Sequence, residues 1–273
     1  GSNKGEKGEK GKLSRTYIEL IIKNKPDFFL FENVKGLYRT KKHRVFFDEL
    51  KSELIANDYC LTEKLINAIE FGAPQDRERI ILVGFKTDVL QRMRVKLDNS
   101  YSIPSFDWDA KTKYQSKNIF SLKWPEEEPY EENLKRQPNK GIIEELTVQY
   151  WFDKNDVENH PNTNHYFQPR AGLKKFQTVK EGDVLKKCYK RLHRWRYSPT
   201  AAYGNNEVHI HPYKPRRISA AEALSIQSLP KEFILPDNIS LSNMFKTIGN
   251  GVPYLAAKGL AETIMSFINH NYL

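Results

Sequence analysis

The sequence predicts an α/β protein, part of a doubly wound sheet interrupted by a smaller inserted domain. Two observations carry this expectation. Over residues 1 to 86, helical apolar stripes alternate with strand-like apolar runs, as in a sheet with helices on both faces. From about residue 87 to 191 the texture turns polar, with tryptophans, prolines and charge runs and no strong period. Residues 192 to 273 then end in an amphipathic helical segment, so three parts are expected: 1–86, 87–191 and 192–273.

In chain order, residues 1 to 12 are Gly, Lys, Glu, Ser and Asn without an apolar face and are expected to be mobile. Leu13 to Asn24 carries Leu13, Tyr17, Ile18, Leu20 and Ile21, a helical stripe. Phe28 to Phe31 is a continuous apolar run of the kind found in buried parallel strands, and it ends in Glu32 and Asn33. A basic loop, Lys35 to Arg44, leads to a second helix with Val45, Phe46, Leu50 and Leu54 inward. Tyr59 to Asn67 and Ile80 to Phe85 read as the next two strands.

Two places in these elements suggest chemistry. Ligands gather at strand carboxyl ends in open α/β sheets, so Glu32 stands where a catalytic carboxylate would, although a helix-capping or loop carboxylate would look the same. The run FGAPQDRERIILVGF, residues 71 to 85, sets Gln75, Arg77 and Arg79 against an apolar strand. Residues two apart share a strand face, so Arg77 and Arg79 are expected to leave together and to suit an anion or a carbonyl oxygen. The plainer alternative is a solvated edge in which they meet Asp76 and Glu78. Near the other end, RRISAAEALSIQSLP (216–230) precedes FKTIGNGVPYLAAKGLAETI (245–264), a Gly-Asn-Gly turn leading into an amphipathic helix.

Composition narrows the partners. The net charge of +10 and isoelectric point near 9.3 favour a polyanion, and 39% hydrophobic residues support a substantial core. Two cysteines without repeated spacing argue against a disulfide scaffold or zinc site and point to a reducing compartment. No apolar run is long enough for a membrane helix and no signal peptide is evident, so a soluble intracellular protein is expected. The acidic stretch Glu126 to Glu132 reads as a solvated loop. Asn159 to Arg170 and Lys174 to Arg196 are rich in Lys, Arg, His and aromatics.

Taken in order, these segments resemble the DNA (cytosine-5) methyltransferase family. Glu32-Asn33-Val34 looks like that family's strand-end acid motif, and Gln75-Asp76-Arg77-Glu78-Arg79 like its Q-x-R-x-R motif. Arg216 to Pro230 is similar to the stretch after its target-recognition region, and Ile248-Gly249-Asn250-Gly251-Val252 to its closing G-N-x-V motif. The resemblance covers residues 1–86 and 192–273 and implies a partial Rossmann-like methyltransferase sheet. Residues 87–191 would be the inserted target-recognition domain, with 192–273 completing the catalytic domain.

It also implies an activity: sequence-specific methylation of double-stranded DNA with S-adenosyl-L-methionine, in a bacterial restriction-modification setting, cytoplasmic and nucleoid-associated. A cysteine adds to C6 of a flipped cytosine and makes C5 nucleophilic. Glu32 would hydrogen-bond or protonate N3, Arg79 would hold O2, and Arg77 would support the pocket. Asn250 and Val252 would line the methionine end of the cofactor. Arg170, Lys187, Arg191, His193, Arg194 and Arg196 are the candidate DNA contacts, and Arg216 and Glu222 look structural. At Ala221 the family commonly has an arginine, which leaves a phosphate contact there in question.

The glycine-rich F-x-G-x-G cofactor loop and the Pro-Cys-Gln nucleophile motif do not occur in these residues. Neither Cys60 nor Cys188 has a Pro-Cys-Gln context, so both are read as ordinary thiols. The expectation is therefore an enzyme active only with a chain or segment that supplies the N-terminal half. The alternative is a methyltransferase-derived DNA-binding or specificity module without catalysis of its own.

Overall fold

In the computed structural model, residues 9–98, 100–169, 172–203 and 208–272 are described. Residues 1–8 of the segment expected to be mobile lie outside them, whereas Glu9 to Lys12 open the first helix. The chain divides into two compact units: Gly1–Ile66 with Glu78–Lys111 and Ala261–Leu273, and Asn67–Arg77 with Thr112–Leu260.

The first unit contains α1 (Glu9–Asn24), β1 (Phe28–Val34), α2 (Lys35–Arg39), α3 (Lys41–Ala56), β2 (Tyr59–Asn67), β3 (Glu78–Lys86) and α4 (Thr87–Arg92). The expected basic loop at Lys35 to Arg44 is instead α2 and the first turn of α3, because Leu37 finds a buried seat in mid-loop. The strands form one sheet in the order β1-β3-β2. β1 runs antiparallel to β3, with Phe28 opposite Phe85 and Val34 opposite Arg79. This corrects the parallel expectation for Phe28–Phe31. Only Phe29 and Phe31 are buried there while Phe28 is 43% exposed, the alternation of a strand covered on one face.

The core of this unit joins Ile18 and Ile21 of α1, Phe29 and Phe31 of β1, Phe47, Leu50 and Leu54 of α3, and Tyr59, Ile80 and Leu82 of the sheet. Each such side chain contributes roughly 1.5–3 kcal/mol by leaving water. Four residues of the predicted apolar stripes prove to face outward. Val45 is exposed, its place on α3 taken by Phe47, and on α1 the stripe splits, with Leu13, Tyr17 and Leu20 left exposed.

The second unit contains α5 (Ser116–Ser121), α6 (Val148–Lys154), α7 (Leu173–Thr178), α8 (Ala220–Ile226), α9 (Leu241–Asn250) and the first part of α10 (Tyr254–Tyr272). Its main core puts Val148, Phe152 and Val157 together with Leu192, Ile218, Leu224, Met244, Phe245 and Ile248. Apolar residues from both sides of position 191 share that core, so no compact unit ends at 191. None ends at 86 either, since the first unit continues to Lys111. The expected Gly-Asn-Gly turn is also displaced. Gly249 and Asn250 are the last helical residues of α9, and Gly251 follows as its extended cap. Among the described residues no helix is long and apolar enough to cross a membrane.

Gly84 shows how tightly the sheet is covered. It lies opposite Phe29, whose ring occupies the space where a Cβ would stand, with Leu61 close behind. Gly84→Ala is expected to destabilise the protein by about 1–3 kcal/mol through overpacking. An unchanged denaturation midpoint would show that the Phe29 ring moves aside freely.

Candidate active site

Glu32, expected just past the end of its strand, lies inside β1, which runs on to Val34, and there it meets one arginine. Glu32 lies opposite Ile81 and Arg79 opposite Val34, so the two are diagonal neighbours on one sheet face. Arg79 Nε is 2.8 Å from Glu32 Oε1. A second Arg79 nitrogen donates to the Glu78 carbonyl at 2.8 Å. Burial pushes the Arg79 guanidinium down, and the Glu32 carboxylate opposes that shift. Both side chains remain partly open to solvent, at 14% and 27%, so this is a reachable pair rather than a sealed one. Glu78 turns to Lys35 and Arg39.

Arg77 does something else. The expectation that it leaves a strand beside Arg79 is corrected: β3 begins at Glu78, and Arg77 is buried in the second unit at 2% exposure. It donates to the carbonyls of Ala201 at 3.2 Å, Gly249 at 3.0 Å and Gly251 at 2.9 Å. Gln75 accepts from Ala201 N at 3.0 Å and donates to Gln227 Oε1 at 3.2 Å, and Gln227 donates to the Ile248 carbonyl at 2.5 Å. The C-terminal carbonyls of α9, which have no partners within the helix, are thus capped by side chains from two distant segments. Asn250 is exposed at that end and Val252 is half-buried.

The candidate DNA contacts divide sharply. Arg191 is fully buried; it donates to the carbonyls of Val179 at 2.8 Å and His211 at 2.6 Å and stacks on Tyr130. Burial pushes its guanidinium down to about 10. Arg194, at 4% exposure, forks onto Glu181 with two 2.8 Å bonds and lies over Tyr213. His193 is buried and its Nδ1 accepts from Trp195 N at 3.0 Å. All three are interior residues; the donors of the two arginines are spent on carbonyls, a carboxylate and aromatic faces, while His193 Nε2 lies 4.0 Å from Glu128 Oε1. Lys187 is exposed and Arg196 half-buried, while Arg170 lies outside the described residues.

Sequence reading placed Arg216 and Glu222 as structural, and they pair in two bonds at 2.9 and 2.7 Å. Burial raises the buried Glu222 carboxyl, but His211 and Arg216 outweigh it and hold the group well below the usual carboxylate range. Ser219 and Glu222 also form a capping box at the start of α8, a pattern visible as S-x-x-E. Glu181, the partner of Arg194, was missed, because nothing local ties it to a residue thirteen positions on. Burial pushes the Cys60 thiol up, and Cys188 is exposed.

The family model for C-5 cytosine-specific DNA methylases matches residues 1–266. The chain belongs to that family. It is 62% identical over 275 residues to the type II methyltransferase M.NmeDI of Neisseria meningitidis serogroup C, covering all of this chain and 61% of that protein. To M.FnuDI of Fusobacterium nucleatum it is 28% identical, covering 97% of this chain and 73% of that one. The chain thus spans about three fifths to three quarters of the length of these relatives. Among solved structures, a prophage-encoded E. coli protein assigned as a DNA modification methyltransferase superposes with a TM-score of 0.63 at 19% identity, covering 97% of this chain and 77% of that one. The S. pombe Dnmt2 methyltransferase gives 0.52 at 14%, over 94% and 73%. These likenesses support the α/β methyltransferase fold.

In this C-5 methylase chain the buried histidines set a pH limit. Burial pushes His193 down to about 4 and His209 to about 3 from an ordinary 6.5. Below that ordinary value the unfolded chain takes up protons that the folded rings refuse. The stability they allow is complete above about pH 6.5 and falls as pH drops toward the folded values, by up to about 1.4 kcal/mol per pH unit per ring. His193→Gln is expected to flatten the decline between about pH 6 and 4 by that amount. An unchanged slope in urea titrations across that range would show that His193 takes up protons in the folded protein.

Proposed function

We propose that this chain carries the base-binding acid, the arginine clamp and the DNA-recognition part of a bacterial type II restriction-modification DNA (cytosine-5) methyltransferase. The observation that carries this reading is the 2.8 Å Glu32–Arg79 pair on one sheet face, in a chain whose family methylates cytosine C5. Glu32 hydrogen-bonds N3 of a flipped cytosine, a contact that strengthens as electron density moves into the ring. Arg79 orients Glu32 and holds the base O2. Its planar fork suits one carboxylate and one carbonyl at once.

Arg77 acts at one remove, by holding the main chain around Gly249 and Gly251. The residues there fit the methionine end of S-adenosyl-L-methionine. An exposed amide, Asn250, stands at the end of a ten-residue helix whose carbonyls Arg77 and Gln227 hold in place, and the half-buried Val252 follows it. When bound, the cofactor supplies a sulfonium methyl group for transfer. Asn250 and Val252 orient it.

The thiolate that adds to C6 comes from elsewhere. Cys60 is buried with its thiol pushed up, the opposite of an activated nucleophile. Activity therefore requires a chain or segment bearing the cofactor loop and the Pro-Cys-Gln cysteine. A DNA-binding module without catalysis is the reading that remains if no such polypeptide acts with this one. Residues 87–191 are assigned to target recognition, with Lys187 exposed there and Arg196 half-buried just beyond, and the basic charge favours DNA and a location with the bacterial nucleoid.

The decisive experiment supplies the front part of the Neisseria relative as a separate polypeptide. This chain alone is expected to transfer no methyl groups to DNA, and the mixture to do so. In the mixture, Glu32→Gln should lower turnover by about 100-fold or more with little change in DNA affinity. Equal losses of rate and affinity would mark Glu32 as a support of the fold. Lys187→Ala should weaken binding alike on all sequences and reduce the salt dependence by about one counterion, as a phosphate contact does; a change in the methylated sequence would instead make it a base reader.

A further inference from the structure

The residues that follow β1, Lys35 to Arg44, concentrate positive charge on the first unit. Lys35, Arg39, Lys41, Lys42 and Arg44 stand there with His43 and without a single acidic residue. The candidate DNA contacts between 170 and 196 belong to the second unit, so this charge is separate from them. Apolar contacts fix the stretch in place. Leu37 is buried, Tyr38 packs against the core of the unit, and the Arg44 guanidinium lies 4.2 Å over the Tyr38 ring. Lys35, Arg39, Thr40, Lys41 and Lys42 are left exposed on α2 and the start of α3.

Pairing across this surface is incomplete. Lys35 and Arg39 share one carboxylate, Glu78, and Arg44 turns back to Asp48 and Glu63. Lys41 and Lys42 have no carboxylate partner among the described residues. Like charges at neighbouring positions repel, and the first turn of α3, which holds no acidic residue, is where a helix gains from carboxylates and not from lysines. An anion laid along the stretch removes both costs. Position says which anion. Lys35 directly follows β1, which carries Glu32, and Glu78 directly precedes Arg79. The basic surface therefore begins beside the Glu32–Arg79 pair, and α2 carries it onward by about 7.5 Å, close to two phosphate steps of about 3.4 Å along one DNA strand.

We propose that Lys35, Arg39, Lys41 and Lys42 form a phosphate-binding surface for the DNA strand that carries the flipped cytosine, gripping its backbone next to that nucleotide without reading bases. This deepens the functional reading above and rests on it. Lysine serves as a point charge that meets a phosphate from many directions, and contacts of this kind fix register and orientation, not sequence. Glu78 keeps Lys35 and Arg39 extended beside Arg79 until a phosphate competes for them.

The test pairs two double variants. Lys41→Gln/Lys42→Gln changes only exposed side chains and should melt as the parent chain does. When double-stranded DNA is titrated into the chain at several salt concentrations, this variant should lose about 1.8 from the slope of log K against log[salt], about 0.9 for each phosphate contact. Lys23→Gln/Lys25→Gln removes the same charge from exposed positions around the end of α1 and should leave the slope unchanged. In the mixture with the front part of the Neisseria relative, with plasmid DNA as substrate, the Lys41/Lys42 variant should raise KM by about tenfold or more, leave kcat within about twofold and methylate the same sequence. A parent chain that binds no DNA overturns the proposal, as does a slope that the Lys41/Lys42 variant leaves intact. Equal losses in both variants overturn it by assigning the effect to net charge. A loss confined to double-stranded RNA, or a changed methylated sequence, overturns it too. Methyl transfer is read separately. Transfer with binding indifferent to Lys41 and Lys42 removes this surface and leaves the functional reading, and Lys41/Lys42-dependent DNA binding without transfer does the reverse.

Discussion

A guanidinium keeps its charge inside a protein, so burying Arg77 obliges the surrounding main chain to turn carbonyls toward it. Ala201, Gly249 and Gly251 supply them. The consequence spreads through the second unit. α9 must approach the segment at 201–203 closely, which is why position 249 is a glycine: a Cβ there would stand 2.9 Å from Tyr203 N. Gln75 and Gln227 complete the arrangement by taking the remaining polar groups, including the Ile248 carbonyl. Three stretches far apart in the chain are thereby held to one geometry by hydrogen bonds that none could forgo without leaving a buried polar group unmatched.

This explains which parts of the fold could be read in advance. β2 was legible at Tyr59–Asn67 because it is bounded by the end of α3 and a short helical turn and carries apolar residues at both ends. Glu32 was legible as a carboxylate borne by a strand, although β1 runs on past it to Val34 rather than ending there. Arg77 was not, since strand alternation puts it on the face of Arg79, whereas the strand starts one residue later and the side chain is claimed by carbonyls more than 120 positions away. The parallel expectation for β1 failed for a related reason. Four apolar residues in a row look alike whether both faces are covered or one face waits for a partner.

The basic run from Lys174 to Arg196 teaches a different lesson about charge. Its sum attracts DNA in any sequence-level account, yet Arg191 and Arg194 are interior residues whose partners, Tyr130, Glu181 and Tyr213, come from separate parts of the unit. Aromatic rings and a carboxylate lower the cost of burying a guanidinium, and the fold uses both. A composition count cannot distinguish such an arginine from one that meets a phosphate. Exposure can, and it moves attention to Lys187 and Arg196.

The two arginines of one short motif therefore serve opposite ends of the same requirement. Arg79 stays partly open, with one nitrogen on Glu32 and another on the Glu78 carbonyl. Arg77 is closed and spends its donors on the protein. One charge is presented and the other holds a backbone. Alternating Arg-x-Arg across the end of a strand supplies one of each, because the strand begins between them. A one-residue slip of β3 along β1 would instead turn Arg79 to the other face of the sheet, away from Glu32.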